Sequence, residues 1–126
     1  MGILKKNVEK LEHRQLELKD TQQKLSMSAV LSELCDFKDI FIVHEILEPG
    51  RQDSRLHQHS HKEELILVLE GSPTIFIDEQ RLMLNPGDFV GLRPETGKHY
   101  LKNLSEKPAK YLKICSNPVE DVVKYF

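Results

Sequence analysis

Between Ile3 and Glu48 the chain contains neither proline nor glycine, so its first third lacks the residues that most often punctuate turns. Cysteine is nearly absent: Cys35 and Cys115 are the only two, which is too few for the disulfide framework of a small secreted domain. No apolar run follows Lys5 and Lys6 in the manner of a signal peptide, and the expectation is two reduced thiols in a cytoplasmic protein. An excess of positive charge is also missing. With 18 basic against 20 acidic residues the net charge is -2, which leaves no basic field to hold a phosphate backbone, and nucleic acid is not an expected partner. No stretch approaches the ~20 apolar residues of a membrane span, and the opening "MGILKK" has Lys6 where a myristoylation signal has Ser or Thr, so no membrane partner is expected. What remains is 126 residues, enough for one domain with a core of ordinary size.

The chain has two textures. In the first, Leu4, Leu11, Leu18 and Leu25 recur every seven residues, with Val8, Gln15 and Gln22 between them, so a helix over this stretch carries a narrow apolar stripe. A coiled-coil dimer, a helix packed on the domain and a frayed tail all fit that pattern. "SAVLSELC", residues 28–35, reads as a short second helix opened by Ser26 or Ser28. Residues 1–36 are therefore expected to form an N-terminal helical extension.

From residue 37 the texture is that of β-structure. "IFIVHEIL", "LILVL", "TIFI", "RLML", "FVGL" and "KYLKI" are short and rich in Ile, Leu, Val and Phe, and they are separated by "EPG", "EGSP", "DEQ", "NPGD" and "RPETGK". No helical pattern intervenes, which argues against a βαβ sheet and for an antiparallel jelly-roll barrel over residues 37–126.

The chemistry concentrates in "LHQHSHKEELILVLEG", residues 56–71. Alternate strand residues share a face, so His57 and His59 point the same way and Gln58 points away. After a turn at His61 and Lys62, an antiparallel return brings Glu64 back beside the histidine pair, and His99 at the start of a later strand offers a fourth donor. Three neutral imidazoles and one carboxylate suit a divalent transition metal ion such as Mn, Fe, Co, Ni or Zn, and suit Ca or Mg poorly.

The surrounding residues resemble the cupin superfamily, which has two motifs. Gly50, His57, His59, Glu64 and Gly71 follow the first, and Gly87, Pro94, Gly97, His99 and Asn103 follow the second in order. The likeness runs from about Phe37 to Asn117, and the tail "YLKICSNPVEDVVKYF" resembles the last strand and extension of a group of small cupins. It implies a double-stranded β-helix, metal ligation by His57, His59, Glu64 and His99, a small-molecule ligand or substrate, and pairing as a homodimer. Glu64 is the candidate catalytic base. Two functions fit: a metal-dependent dioxygenase or sugar or keto-acid isomerase, and a non-enzymatic module that binds a sugar or small acid.

Other residues are read more plainly. His61 and Glu63 sit at the turn and are expected in solvent. Ile66, Val68 and Leu101 share the ligands' faces and are expected to line a dry apolar pocket. His44 is either a pocket residue or a hydrogen-bonded histidine elsewhere. Arg93 and Lys113 are read as solvated strand-end cations, with guidance of an anionic ligand to the barrel mouth as the second reading. Asn103 is expected to close a turn.

Overall fold

The computed structural model of the chain describes residues 2–126. Two antiparallel sheets make up nearly all of its regular structure. The larger contains β1 (Arg14–Glu17), β2 (Lys24–Val30), β3 (Ile40–Leu47), β10 (Ala109–Ser116), β5 (Glu64–Glu70) and β8 (Phe89–Leu92), in that spatial order. The smaller contains β11 (Val123–Tyr125), β4 (His57–His59), β9 (His99–Lys102), β6 (Thr74–Ile77) and β7 (Gln80–Met83). Every strand expected from residue 40 onward forms; burial alternates clearly along β5 and β9, whereas β7 is exposed throughout and is held by its pairing with β6. Leu47, Ile66, Val68, Ile75, Leu84, Leu92, Leu101, Ala109 and Tyr111 close the core between the sheets.

The first third departs from expectation. In place of a helix over residues 1–27 there is a single 3-10 turn at Val8–Lys10, followed by the β1–β2 hairpin; only one helical turn, α1 (Leu31–Leu34), follows it. The heptad leucines are scattered: Leu11 follows the 3-10 turn, Leu18 follows β1 and Leu25 lies in β2. The hairpin turns without Gly or Pro. Asp20 Oδ1 accepts from the Thr21 amide at 2.9 Å, Leu18 and Gln23 are joined by a 2.9 Å backbone bond, and Gln22 takes a left-handed φ of 61°. β2 then pairs with β3 through Met27 to Val30, so the N-terminal residues extend the sheet. Tertiary pairing outweighs the weak helical preference of a seam with two polar positions.

Gly71 shows why the first motif ends on glycine. Its φ is +77°, and a Cβ there would lie 2.5 Å from the Pro108 carbonyl oxygen and 2.8 Å from Ala109 Cα. That close approach seats the end of β5 against the start of β10, which carries residues facing the site.

Candidate metal centre

Register assembles the site. His57 on β4 is paired directly with His99 on β9, and their rings stand 4.4 Å apart between centroids. Glu64 opens β5 in the other sheet, opposite Cys115 on β10 and Leu92 on β8. The strands thus aim His57, His99 and Glu64 at one point, and their donor atoms all lie within 4.8 Å of one another. His59 joins from the side, with Nε2 2.9 Å from Glu64 Oε1. All four residues expected at the site are brought together.

Hydrogen bonds fix which ring nitrogen faces inward. His57 Nδ1 lies 2.8 Å from the Arg55 carbonyl, and His99 Nδ1 lies 3.0 Å from the Gly97 carbonyl, so each Nδ1–H donates and each Nε2 keeps its lone pair. His59 Nδ1 lies 2.8 Å from Asp121 Oδ2. Facing them, His99 Nε2 is buried and without a hydrogen-bond partner among the described residues, 3.6 Å from Glu64 Oε1. Buried polar atoms are rarely left unpaired, because desolvation without a partner is unfavourable by roughly 1–3 kcal/mol. Nitrogen and oxygen lone pairs converging on one point are the donor set that a divalent transition metal takes.

The electrostatics are those of an ionised carboxylate among imidazoles. Burial alone would raise the Glu64 carboxyl, but its contacts with His59 and His99 and the nearby Lys113 charge outweigh this and hold it well below the usual carboxylate range. Burial lowers His57, favouring the neutral imidazole that binds metal. Burial would lower His59 as well, yet Glu64 and Asp121 on either side raise it overall. Asp121 is held down to about 2: burial opposes ionisation, but the amides of His61 and Lys62 and the His59 ring favour it more. Cys115, buried and beside Glu64, is pushed up to about 12 and stays a thiol.

These shifts predict a pH signature for the metal-free protein. Asp121 is depressed from an unfolded value of about 3.9, so its contribution to stability is complete above that value and is lost as pH falls toward about 2. His59 is raised, so its contribution is complete below about 6.5 and is lost as pH climbs through the folded value. Urea unfolding of chelator-treated protein at stepped pH is expected to show a plateau with a decline on each side. A profile with neither slope contradicts the pairing of His59 with its two carboxylates.

The barrel interior beside the site differs from expectation. Ile66, Val68 and Leu101 are sealed in the core instead of lining a pocket. A shallow surface groove of about 410 Å³ runs over the outer face of the larger sheet, along Ile40, Glu63, Leu65, Ile114 and Ser116, whereas Glu64 turns its carboxylate to the opposite, inner face. Lys113 is not a solvated strand-end cation. Its amine is turned inward against Asp53 and within 3.2 Å of Glu45, whose carboxylate also accepts from the Tyr111 hydroxyl at 2.9 Å. Both carboxylates raise its pKa against the lowering effect of burial. His44 lies on the sheet's other face, 2.8 Å from His13. His61 is exposed, with its ring against Ser60, and Glu63 and Arg93 are exposed as well. Asn103 is fully buried and donates to the Leu47 and Lys107 carbonyls, the turn-closing duty expected of it. Asp121, Asp53 and Glu45 had no signal in sequence, since their partners lie 48 to 66 residues away.

A model of the cupin domain matches residues 43–115. The chain is a cupin. Among sequences, this cupin is 31% identical over 74 residues to an uncharacterized protein of Methanocaldococcus jannaschii, a match spanning 59% of the chain and 58% of that relative. Among solved structures it resembles a candidate sugar phosphate isomerase from Acidithiobacillus ferrooxidans, with TM-score 0.85 and 23% identity over 94% of this chain and 76% of that one. A sugar phosphate isomerase of the cupin superfamily from Silicibacter pomeroyi gives 0.84 and 21%, covering 98% and 82%. A predicted oxalate decarboxylase from Thermotoga maritima gives 0.71 and 16%, covering 89% and 97%. At these identities the structural likeness is one of fold. No helix among the described residues is long and apolar enough to cross a membrane.

Proposed function

We propose that this cupin holds a divalent transition metal ion through His57, His59, Glu64 and His99 and uses it to isomerise a small sugar or keto acid. The observation that carries the reading is the buried, unpartnered His99 Nε2, gathered with donor atoms of His57 and Glu64 so that all three lie within 4.8 Å of one another. The two isomerase-named structures with TM-scores of 0.85 and 0.84 support the choice of isomerisation over oxygenation at the level of fold.

When bound, the metal would act as a Lewis acid that polarises a substrate carbonyl. The protein's own groups do the rest. The Arg55 and Gly97 carbonyls hold the His57 and His99 rings with Nε2 inward, so the donors need little rearrangement. Glu64, ionised at neutral pH, is the carboxylate of the ligand cluster, and it can take a proton from the carbon next to a carbonyl. Cys115 stays protonated and contributes a neutral wall beside it.

The test combines elemental analysis with a screen of hydroxy-aldehydes, hydroxy-ketones and keto acids followed by NMR. A stoichiometric transition metal is expected, with isomerisation that stops on chelation and returns on adding metal. Protein that takes up no metal even after reloading refutes the metal site. Metal-dependent binding of these compounds without turnover assigns the protein instead as a non-enzymatic metabolite-binding module.

A further inference from the structure

The matched cupin region ends at residue 115, yet the residues after it close over the candidate site. β11 runs antiparallel to β4, with Tyr125 opposite His57 and Val123 opposite His59. The Ser60 amide donates to the Val122 carbonyl at 3.0 Å, the Val122 amide donates back to Ser60 Oγ at 2.8 Å, and the Phe126 amide reaches the Leu56 carbonyl at 3.1 Å. At the front of this segment stands Asp121. Its Oδ1 accepts from the amides of His61 and Lys62, each at 2.9 Å, which fixes the plane of the carboxylate. Its Oδ2 is thereby presented to His59 Nδ1 at 2.8 Å.

His59 is held differently from its neighbours. His57 and His99 are oriented by carbonyls two residues earlier, in the loops that lead into their strands, whereas His59 is oriented by a charged group 62 residues distant. In the neutral imidazole that a metal takes, an acceptor at Nδ1 requires Nδ1–H and leaves the Nε2 lone pair on the side of Glu64. A carboxylate in that place also makes the imidazole a more basic ligand.

We infer that Asp121 is the positioning residue for His59, and that docking of the segment 117–126 and metal binding at the four-ligand site strengthen each other. The inference rests on the metal reading above. Coupling of this kind is reciprocal: whatever affinity the metal gains from the docked segment, the segment gains in stability from the metal.

Asp121→Asn separates positioning from mere attachment. An asparagine whose oxygen keeps the His61 and Lys62 amides must turn its NH₂ toward His59 Nδ1, which forces the opposite tautomer and puts a hydrogen on Nε2. Two readouts on the full chain are needed: cobalt(II) titration followed by its visible absorption, and hydrogen exchange of residues 117–126. In wild type, cobalt is expected to slow exchange of the segment. Asp121→Asn is expected to keep the segment's metal-free protection while weakening cobalt binding by about tenfold to hundredfold; Asp121→Ala is expected to lose both. If Asn matches wild type in affinity while Ala does not, Asp121 only attaches the segment and the positioning role is overturned. Wild-type affinity in both variants, or exchange indifferent to cobalt, overturns the coupling. Wild-type protein that binds no cobalt overturns the metal reading itself, and this inference with it.

Discussion

Changing His57 and His99 together to alanine is expected to abolish stoichiometric metal in the purified protein and to weaken added Zn or Mn by well over a hundredfold. Loss of an outlying carboxylate behind a ligand already lowers affinity by about tenfold to hundredfold; here two of the four donors themselves are removed. The two imidazoles are directly paired across β4 and β9, so their loss leaves Glu64 with His59 alone. The fold is expected to survive, because neither ring belongs to the apolar cluster that closes the core. Elemental analysis and titration calorimetry read the first effect, and circular dichroism reads the second. A double variant that is folded and retains its metal would place the ion elsewhere.

Replacing Lys113 with methionine is expected to destabilise the protein by about 3–5 kcal/mol, the range for removing one partner of a buried ion pair. The side chain is 16% exposed, and its amine lies against Asp53 and Glu45, which are 3% and 5% exposed. Methionine fills much the same volume, so the loss is electrostatic: two carboxylates remain in the interior without a counter-charge. Asp53 is the more consequential of the two. Its Oδ1 accepts from the Leu101 amide at 2.8 Å, and its own amide donates to the Leu101 carbonyl, tying the loop before His57 to the strand that carries His99. Destabilisation should therefore be accompanied by weaker metal binding. Urea unfolding at neutral pH that shows less than about 1 kcal/mol of difference would contradict the network's role.

The strands from Ile40 onward and the shared face of His57 and His59 were readable from local rules of strand alternation, whereas Glu64 and His99 were singled out by the resemblance to the two cupin motifs. The β1–β2 hairpin was not readable, since its turn uses Asp20, Thr21 and a left-handed Gln22 where Gly or Pro would have announced it. A leucine repeat of seven then read as helix, although the residues are scattered. Lys113 misled for a different reason. A lysine among Leu and Ile in a strand reads as a chain that snorkels to water, and only the folded barrel shows that Asp53 and Glu45 meet it inside. Asp121 sits in an unremarked tail, and nothing in "NPVEDVV" separates it from Glu120 until β11 pairs with β4.

The position of β10 has a consequence for synthesis of the chain. Although it is the second-last strand made, it lies between β3 and β5, pairing with both. Until residues 109–116 have been made, the larger sheet exists only as two separate pieces, β1-β2-β3 and β5-β8, each with an open apolar edge. His57, His59, Glu64 and His99 all precede that strand, so they are complete in sequence before there is a barrel to hold them. Completion of the larger sheet is thereby deferred until residues 109–116 have been made, and a chain stopped short of β10 presents two sticky edges in place of a weakened site.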